Sequence, residues 1–163
     1  MTNQAFTEQI RHFAVWARHG NLSEPGAIAA ALSYLSTLYS SYFTLGGYVD
    51  AEVDAPEPHL SSDEWQQVFD NASGLPFSMY SCVADPHQVP PTDDPVIGDI
   101  RDDLADIYRD LVSGLRLYEA GFPLAARSQW SLLLFHWGEH VVNALSVLHA
   151  HLQENRIVGV PEA

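Results

Sequence analysis

The sequence predicts an all-α protein, a helical bundle of four long helices and one short helix in a single domain over residues 1–163. Three observations lead there. Apolar residues return at the three-four spacing of a helix along most of the chain, most regularly after residue 97. Glycine and proline punctuate those stretches rather than interrupting them. A chain of 163 residues with 47% apolar content is long enough to bury an ordinary core without disulfide or metal staples.

The first helix is predicted from about Thr7 to His19, with Phe6, Ile10, Phe13 and Ala17 on one face and Gly20 at its stop. Ser23 is the expected cap of the second, with Pro25 in its first turn. Ile28, Leu32, Leu35, Tyr39, Tyr42 and Phe43 form its apolar side, and Ser33, Ser36, Thr37, Ser40, Ser41 and Thr44 the other. Small hydroxyls of this kind let a neighbouring helix approach, so the helix is expected in the middle of the bundle. Gly46-Gly47 ends it, and loops are expected at roughly residues 47–60 and 84–97. Within the first loop, Asp50, Glu52 and Asp54 have calcium-loop spacing. Ala55 stands where glycine is needed and Ser61 where a glutamate is needed, so that reading fails.

Ser61 and Glu64 form a capping box for a short third helix containing Trp65, Val68 and Phe69. Phe77 to Val83 reads as extended, without an evident pairing partner. Helix four is the clearest element, with Ile97, Ile100, Leu104, Ile107, Leu111, Leu115 and Tyr118 in phase. Gly121-Phe122-Pro123 turns the chain into helix five, about Leu124 to Glu154. Trp130, Leu134, Trp137, Val141, Leu145, Leu148 and Leu152 face inward there. So short a connection makes helices four and five an antiparallel hairpin.

Charge excludes several functions. The formal net charge is -14, and all seven bases are arginine. A surface this acidic repels phosphate backbones and anionic leaflets, so neither nucleic acid nor membrane is an expected partner. Lacking lysine, the chain has no Schiff-base nucleophile and no phosphate-loop lysine. Cys82 is the single cysteine, which rules out an intramolecular disulfide. With no charged-then-apolar leader, a cytoplasmic setting is expected. Residues 25–49 carry no charge, but six serines and threonines interrupt them and no basic residue flanks them, against a membrane span.

Asp102-Asp103-Leu104-Ala105-Asp106-Ile107-Tyr108-Arg109-Asp110-Leu111, followed by Trp130 and then His136-Trp137-Gly138-Glu139-His140, resembles an uncharacterised bacterial family catalogued only as a domain of unknown function. The resemblance covers roughly the last two-fifths of the chain well and the first half weakly. It implies a helical domain and carries no activity, cofactor or catalytic residue with it.

Two polar flanks could carry chemistry. Asp99, Asp103, Asp106 and Asp110 fall within one arc of roughly 60° on helix four, its centre roughly 110° from the apolar stripe. A solvated flank is the simplest account of that arc. Gln129, His136, His140 and Asn143 form a flank of helix five with a similar offset in the same sense. His136 and His140 have the i, i+4 spacing that lets two imidazoles reach one ion. His136-x-x-Glu139-His140 also fits the inverted zinc-protease pattern, but Glu139 points roughly 170° from the apolar face, against a protease. Folding the hairpin sets Asp103 level with His140 and Asp106 level with His136. For one hand of the hairpin these four meet, as a divalent-metal site or as aspartate–histidine hydrogen bonds; for the other hand they part. His12, His19, His149 and His151 read as surface histidines, and Tyr108 and Trp137 as core.

Two functions follow. The first is a small non-catalytic helical binding or interaction module, including a homodimer through the uncharged second helix, with no cofactor. The second is a divalent-metal-binding, hydrolytic helical protein using Asp103, Asp106, His136 and His140.

Overall fold

The computed structural model describes residues 3–51, 54–58, 60–83, 87, 89 and 95–158. Among them are six helices and one two-stranded sheet: α1 (Asn3–His19), α2 (Ala27–Phe43), α3 (Ser62–Ala72), β1 (Met79–Cys82), β2 (Val96–Asp99), α4 (Ile100–Glu119), α5 (Pro123–Leu132) and α6 (Leu134–Val158). The protein is thus predominantly helical, as the periodicity predicts, with one more helix than expected and a small hairpin.

Helix α4 is the centre. It packs against α1, α3, α5 and α6, and Ile100, Leu104, Ile107 and Leu111 along it are fully buried. Being enclosed on so many sides, it also buries Asp103, Asp106, Asp110 and Ser113. A helix this crowded needs small residues where its neighbours come closest. The Trp130 indole lies so near Gly114 that a Cβ there would overlap it, and its Nε1 donates to the Leu111 carbonyl at 2.9 Å.

The third helix begins as its sequence dictates. The Ser61 hydroxyl accepts the Glu64 N–H while the Glu64 carboxylate accepts the Ser61 N–H. Glu64 also takes a 2.6 Å ion pair from Arg116 of α4. Burial opposes the ionised form, but this guanidinium and the Ser61 contacts win and lower its pKa.

Several expectations are corrected. Ser23 does not cap α2, which starts after Gly26 with no side-chain cap; Ser23 lies in the preceding turns. Helix α2 is not central: its Ala27, Ile28, Ala31, Leu35, Leu38 and Tyr42 pack inward towards α1 and α6, while Ser33, Ser36, Ser40 and Thr44 face solvent. Ser36 and Ser40 turn their hydroxyls back to carbonyls of their own helix. Phe43, placed in the apolar face by spacing, is 56% exposed because the helix ends there. Ile97 is in phase with α4 yet belongs to β2, which pairs antiparallel with β1, Tyr80 opposite Gly98 and Ser81 opposite Ile97. The strand passes directly into α4, whose N-cap is Asp99 accepting from the Arg101 N–H. Most of the loop expected at 84–97, and Glu52 and His59 of the earlier one, lie outside the described residues.

The predicted fifth helix divides at Leu133. Trp137 donates its indole N–H to the Trp130 carbonyl at 3.0 Å, and the His136 and Trp137 N–H groups both turn to the Leu133 carbonyl. A side chain has entered the helical ladder, an ordinary cause of a break without glycine or proline. Trp137 and Trp130 are fully buried, and Trp137 meets Tyr42 and Tyr39 edge-on.

Candidate metal centre

Helices α4 and α6 face each other with the hand that brings the two polar flanks together. His140 Nδ1 lies 2.7 Å from Asp103 Oδ1, and His136 Nδ1 lies 2.7 Å from Asp110 Oδ2. Asp103 is therefore opposite His140, as the level count predicts. His136 takes Asp110 as its closest partner rather than Asp106: its Nδ1 turns to Asp110, one helical turn further along α4, while its Nε2 stays 3.6 Å from Asp106 Oδ2. The acidic flank is not solvated: Asp103 and Asp110 are 3% exposed and Asp106 is 8% exposed. Glu139, by contrast, is exposed, which removes the protease pattern. Gln129 and Asn143 are half-buried at either end of the histidine pair, and Asp99 is held by Arg101, whose hydrogen bonds lower its pKa.

Those contacts settle which atoms are free. An ionised carboxylate only accepts, so each Nδ1 carries the proton and donates it. In a neutral imidazole Nε2 then has a bare lone pair. Both Nε2 atoms lie 3.6 Å from the same oxygen, Asp106 Oδ2, and the two rings are 4.6 Å apart. Asp106 Oδ1 is committed elsewhere, accepting from Trp65 Nε1 at 2.7 Å and pairing with Arg109 at 2.8 Å. Arg109 also reaches Asp110 at 3.1 Å.

Three electron-pair donors, Asp106 Oδ2, His136 Nε2 and His140 Nε2, thus converge within 4.8 Å of one another with their other polar atoms already occupied. Such a convergence is repulsive unless a cation sits in it. A proton is one such cation. Burial lowers the His140 pKa, but the Asp103 hydrogen bond and the charges of Asp103, Asp106 and Asp102 outweigh it, for a net rise. A divalent ion is the other. Donors about 2.1 Å from a tetrahedral ion stand about 3.4 Å apart, close to the 3.6 Å separations here. Asp103, counted among the ligands from sequence, belongs to the layer behind them.

Sequence reasoning missed Asp110 as a partner and three further contributors. Trp65 and Tyr80 arrive from α3 and β1, and nothing local in their segments marks them. Arg109 was detectable, since an arginine beside three acids on one helix has few other places to go. The Tyr80 hydroxyl donates to Asp103 Oδ2 at 2.6 Å. A groove of about 520 Å³ opens beside His140, lined on one side by Tyr80, Met79 and Ile97 of the hairpin and on the other by Asp102, Asp103 and Glu139.

Fold and site define a helical bundle with carboxylate-backed histidines between its two central helices. The chain belongs to the family described as Domain of unknown function (DUF5063), whose model matches residues 2–154. Among solved structures it is similar to protein BF1032 from Bacteroides fragilis, with 17% identity, 97% of this chain and 92% of that chain covered, and a TM-score of 0.66. That likeness concerns the fold alone. No curated protein matches the chain. Among the described residues, no helix is long and apolar enough to cross a membrane.

Proposed function

We propose that this is a divalent-metal protein in which Asp106, His136 and His140 hold one ion. The observation that carries the reading is the pair of 3.6 Å approaches of both imidazole Nε2 atoms to Asp106 Oδ2 while both Nδ1 atoms are held by other carboxylates. Carboxylate-backed histidines are the usual form of histidine ligands, because the backing group fixes tautomer and orientation and raises basicity. Two imidazoles and one carboxylate suit Zn²⁺ or Fe²⁺. Three protein donors leave room for water, and a zinc-held water ionises near neutral pH, so hydrolysis is the chemistry favoured. On the His140 side the adjoining groove carries Asp99, Asp102, Asp103 and Glu139 with no arginine among its described lining residues, whereas the opening on the His136 side includes Arg109. Approach from the His140 side disfavours phosphate and carboxylate substrates and suits a small neutral or cationic one.

Protein made without a histidine tag, stripped with chelator and titrated with Zn²⁺, is expected to take up one ion per chain with Kd below about 1 μM. Binding no tighter than about 100 μM would reject the reading. The same aspartate–histidine contacts would then serve only to pin α6 against α4.

A second reading, the non-catalytic interaction module, draws on a different surface. A groove of about 920 Å³ between α6 and the hairpin includes Phe135, 75% exposed, and Val142, 48% exposed. The uncharged outer face of α2 is the other candidate surface, where a homodimer would form.

A further inference from the structure

Resting on the metal reading, we propose that Tyr80 is a positioning residue for His140, so that seating of the β1–β2 hairpin and metal binding are one coupled equilibrium. Tyr80 donates to Asp103 Oδ2 at 2.6 Å, and Asp103 Oδ1 receives His140 Nδ1 at 2.7 Å. The carboxylate is buried, and among the described residues these are its two short contacts, one on each oxygen. It cannot turn without breaking one of them. The Tyr80 pKa is far above its ordinary value, through burial first and then the Asp103 hydrogen bond and charge. With the Tyr80 hydroxyl donating to Oδ2, Asp103 has Oδ1 to accept the His140 Nδ1 proton, which leaves the His140 lone pair on Nε2.

The hairpin is shaped to allow this reach. Tyr80 stands opposite Gly98, and its ring covers that residue so closely that a Cβ there would overlap it. Only glycine lets the ring cross the neighbouring strand to α4. At its other end the hairpin is continuous with α4 through Asp99. The hydroxyl thus closes a loop from β1 across the groove to the residue behind the metal ligand. Whatever fixes His140 must then also favour the seated hairpin, by the reciprocity of linked equilibria.

The test is Tyr80→Phe, which keeps the ring over Gly98 and removes only the hydroxyl. Zn²⁺ affinity would be measured by competition with a chelating dye, and hairpin seating by amide hydrogen exchange with and without saturating Zn²⁺. The expected result is an affinity about 10-fold weaker. Saturating Zn²⁺ should slow exchange in β1 and β2 of the wild-type chain, whereas in Tyr80→Phe it should slow α6 around His140 but not the hairpin. Tyr80→Phe should also add little to Asp103→Asn, since both break one chain of contacts. Unchanged affinity with a faster-exchanging hairpin would overturn the proposal, leaving Tyr80 a packing residue. Equal Zn²⁺ protection of the hairpin in both proteins would overturn it too. A wild-type chain that binds no Zn²⁺ would remove the metal reading itself, which is a separate result.

Discussion

His140→Ala should weaken Zn²⁺ binding by more than about 100-fold, beyond the 10–100-fold typical of a supporting residue such as Asp103. The reason is geometric. In the proposed site three donors would share the ion, and removing one would leave a histidine and a carboxylate on different helices, 3.6 Å apart at His136 Nε2 and Asp106 Oδ2. Zn²⁺ at 100 times its Kd should stabilise the wild-type chain by about 2.7 kcal/mol against thermal unfolding and leave His140→Ala almost unmoved. The pH dependence separates proton from metal. His140 has a folded pKa above its ordinary 6.5, so its contribution in the metal-free protein is complete below that value. It is lost as pH rises through the folded pKa. Metal binding has the opposite sign, because the ion must displace that proton and binds better as pH rises. Melting curves with and without Zn²⁺ should therefore diverge with rising pH, and His140→Ala should abolish the divergence. Parallel curves across that range would show that no ion competes with the proton.

Trp137→Ala should be the most damaging single core change, at about 3–5 kcal/mol in urea unfolding. Trp137 is fully buried, meets two tyrosine rings edge-on and donates to a backbone carbonyl. Trp137→Phe divides these contributions. It retains most of the ring volume but leaves the Trp130 carbonyl without its indole donor, for about 1–3 kcal/mol. If Trp137→Phe unfolds within about 0.5 kcal/mol of wild type, the indole hydrogen bond contributes nothing to the joint.

The readable parts of the sequence were those specified by short-range chemistry. Ser61 and Glu64 announce the start of α3 because a capping box closes within four residues. The stripe from Ile100 to Leu115 announces α4 because burial along one helix repeats at the helical period. Ile97 shows the limit, since a strand residue can fall in phase with the helix that follows it. The division at Leu133 had no signal: neither glycine nor proline marks it, and its cause is an indole four residues later in a buried setting. Periodicity on α4 separated acids from apolar residues but not buried acids from solvated ones. That distinction depends on how many neighbours surround the helix, which no residue on α4 reports. For the candidate centre, the histidine spacing and the Asp103–His140 pairing could be read. The hand of the hairpin, the Asp110 partner and the contacts from Trp65 and Tyr80 are tertiary, and no local pattern encodes them.

The joint between α5 and α6 gives this segment an unequal tolerance to change. His136 follows Leu133 by three residues, so deleting one residue between them would turn both imidazoles by about 100° around the α6 axis. They would then leave Asp103, Asp106 and Asp110 behind on α4. Inserting a whole turn would restore the facing side but carry the rings about 5.4 Å along the axis, past their partners. Substitutions at outward positions such as Leu132 and Phe135 leave that spacing intact. Natural length variation is therefore expected to accumulate between α2 and α3, where the connection is long and its described residues are non-helical, and to be purged from the few residues around Leu133. For this stretch of chain, the count of residues should then matter more to the facing of the two flanks than the identity of most of them.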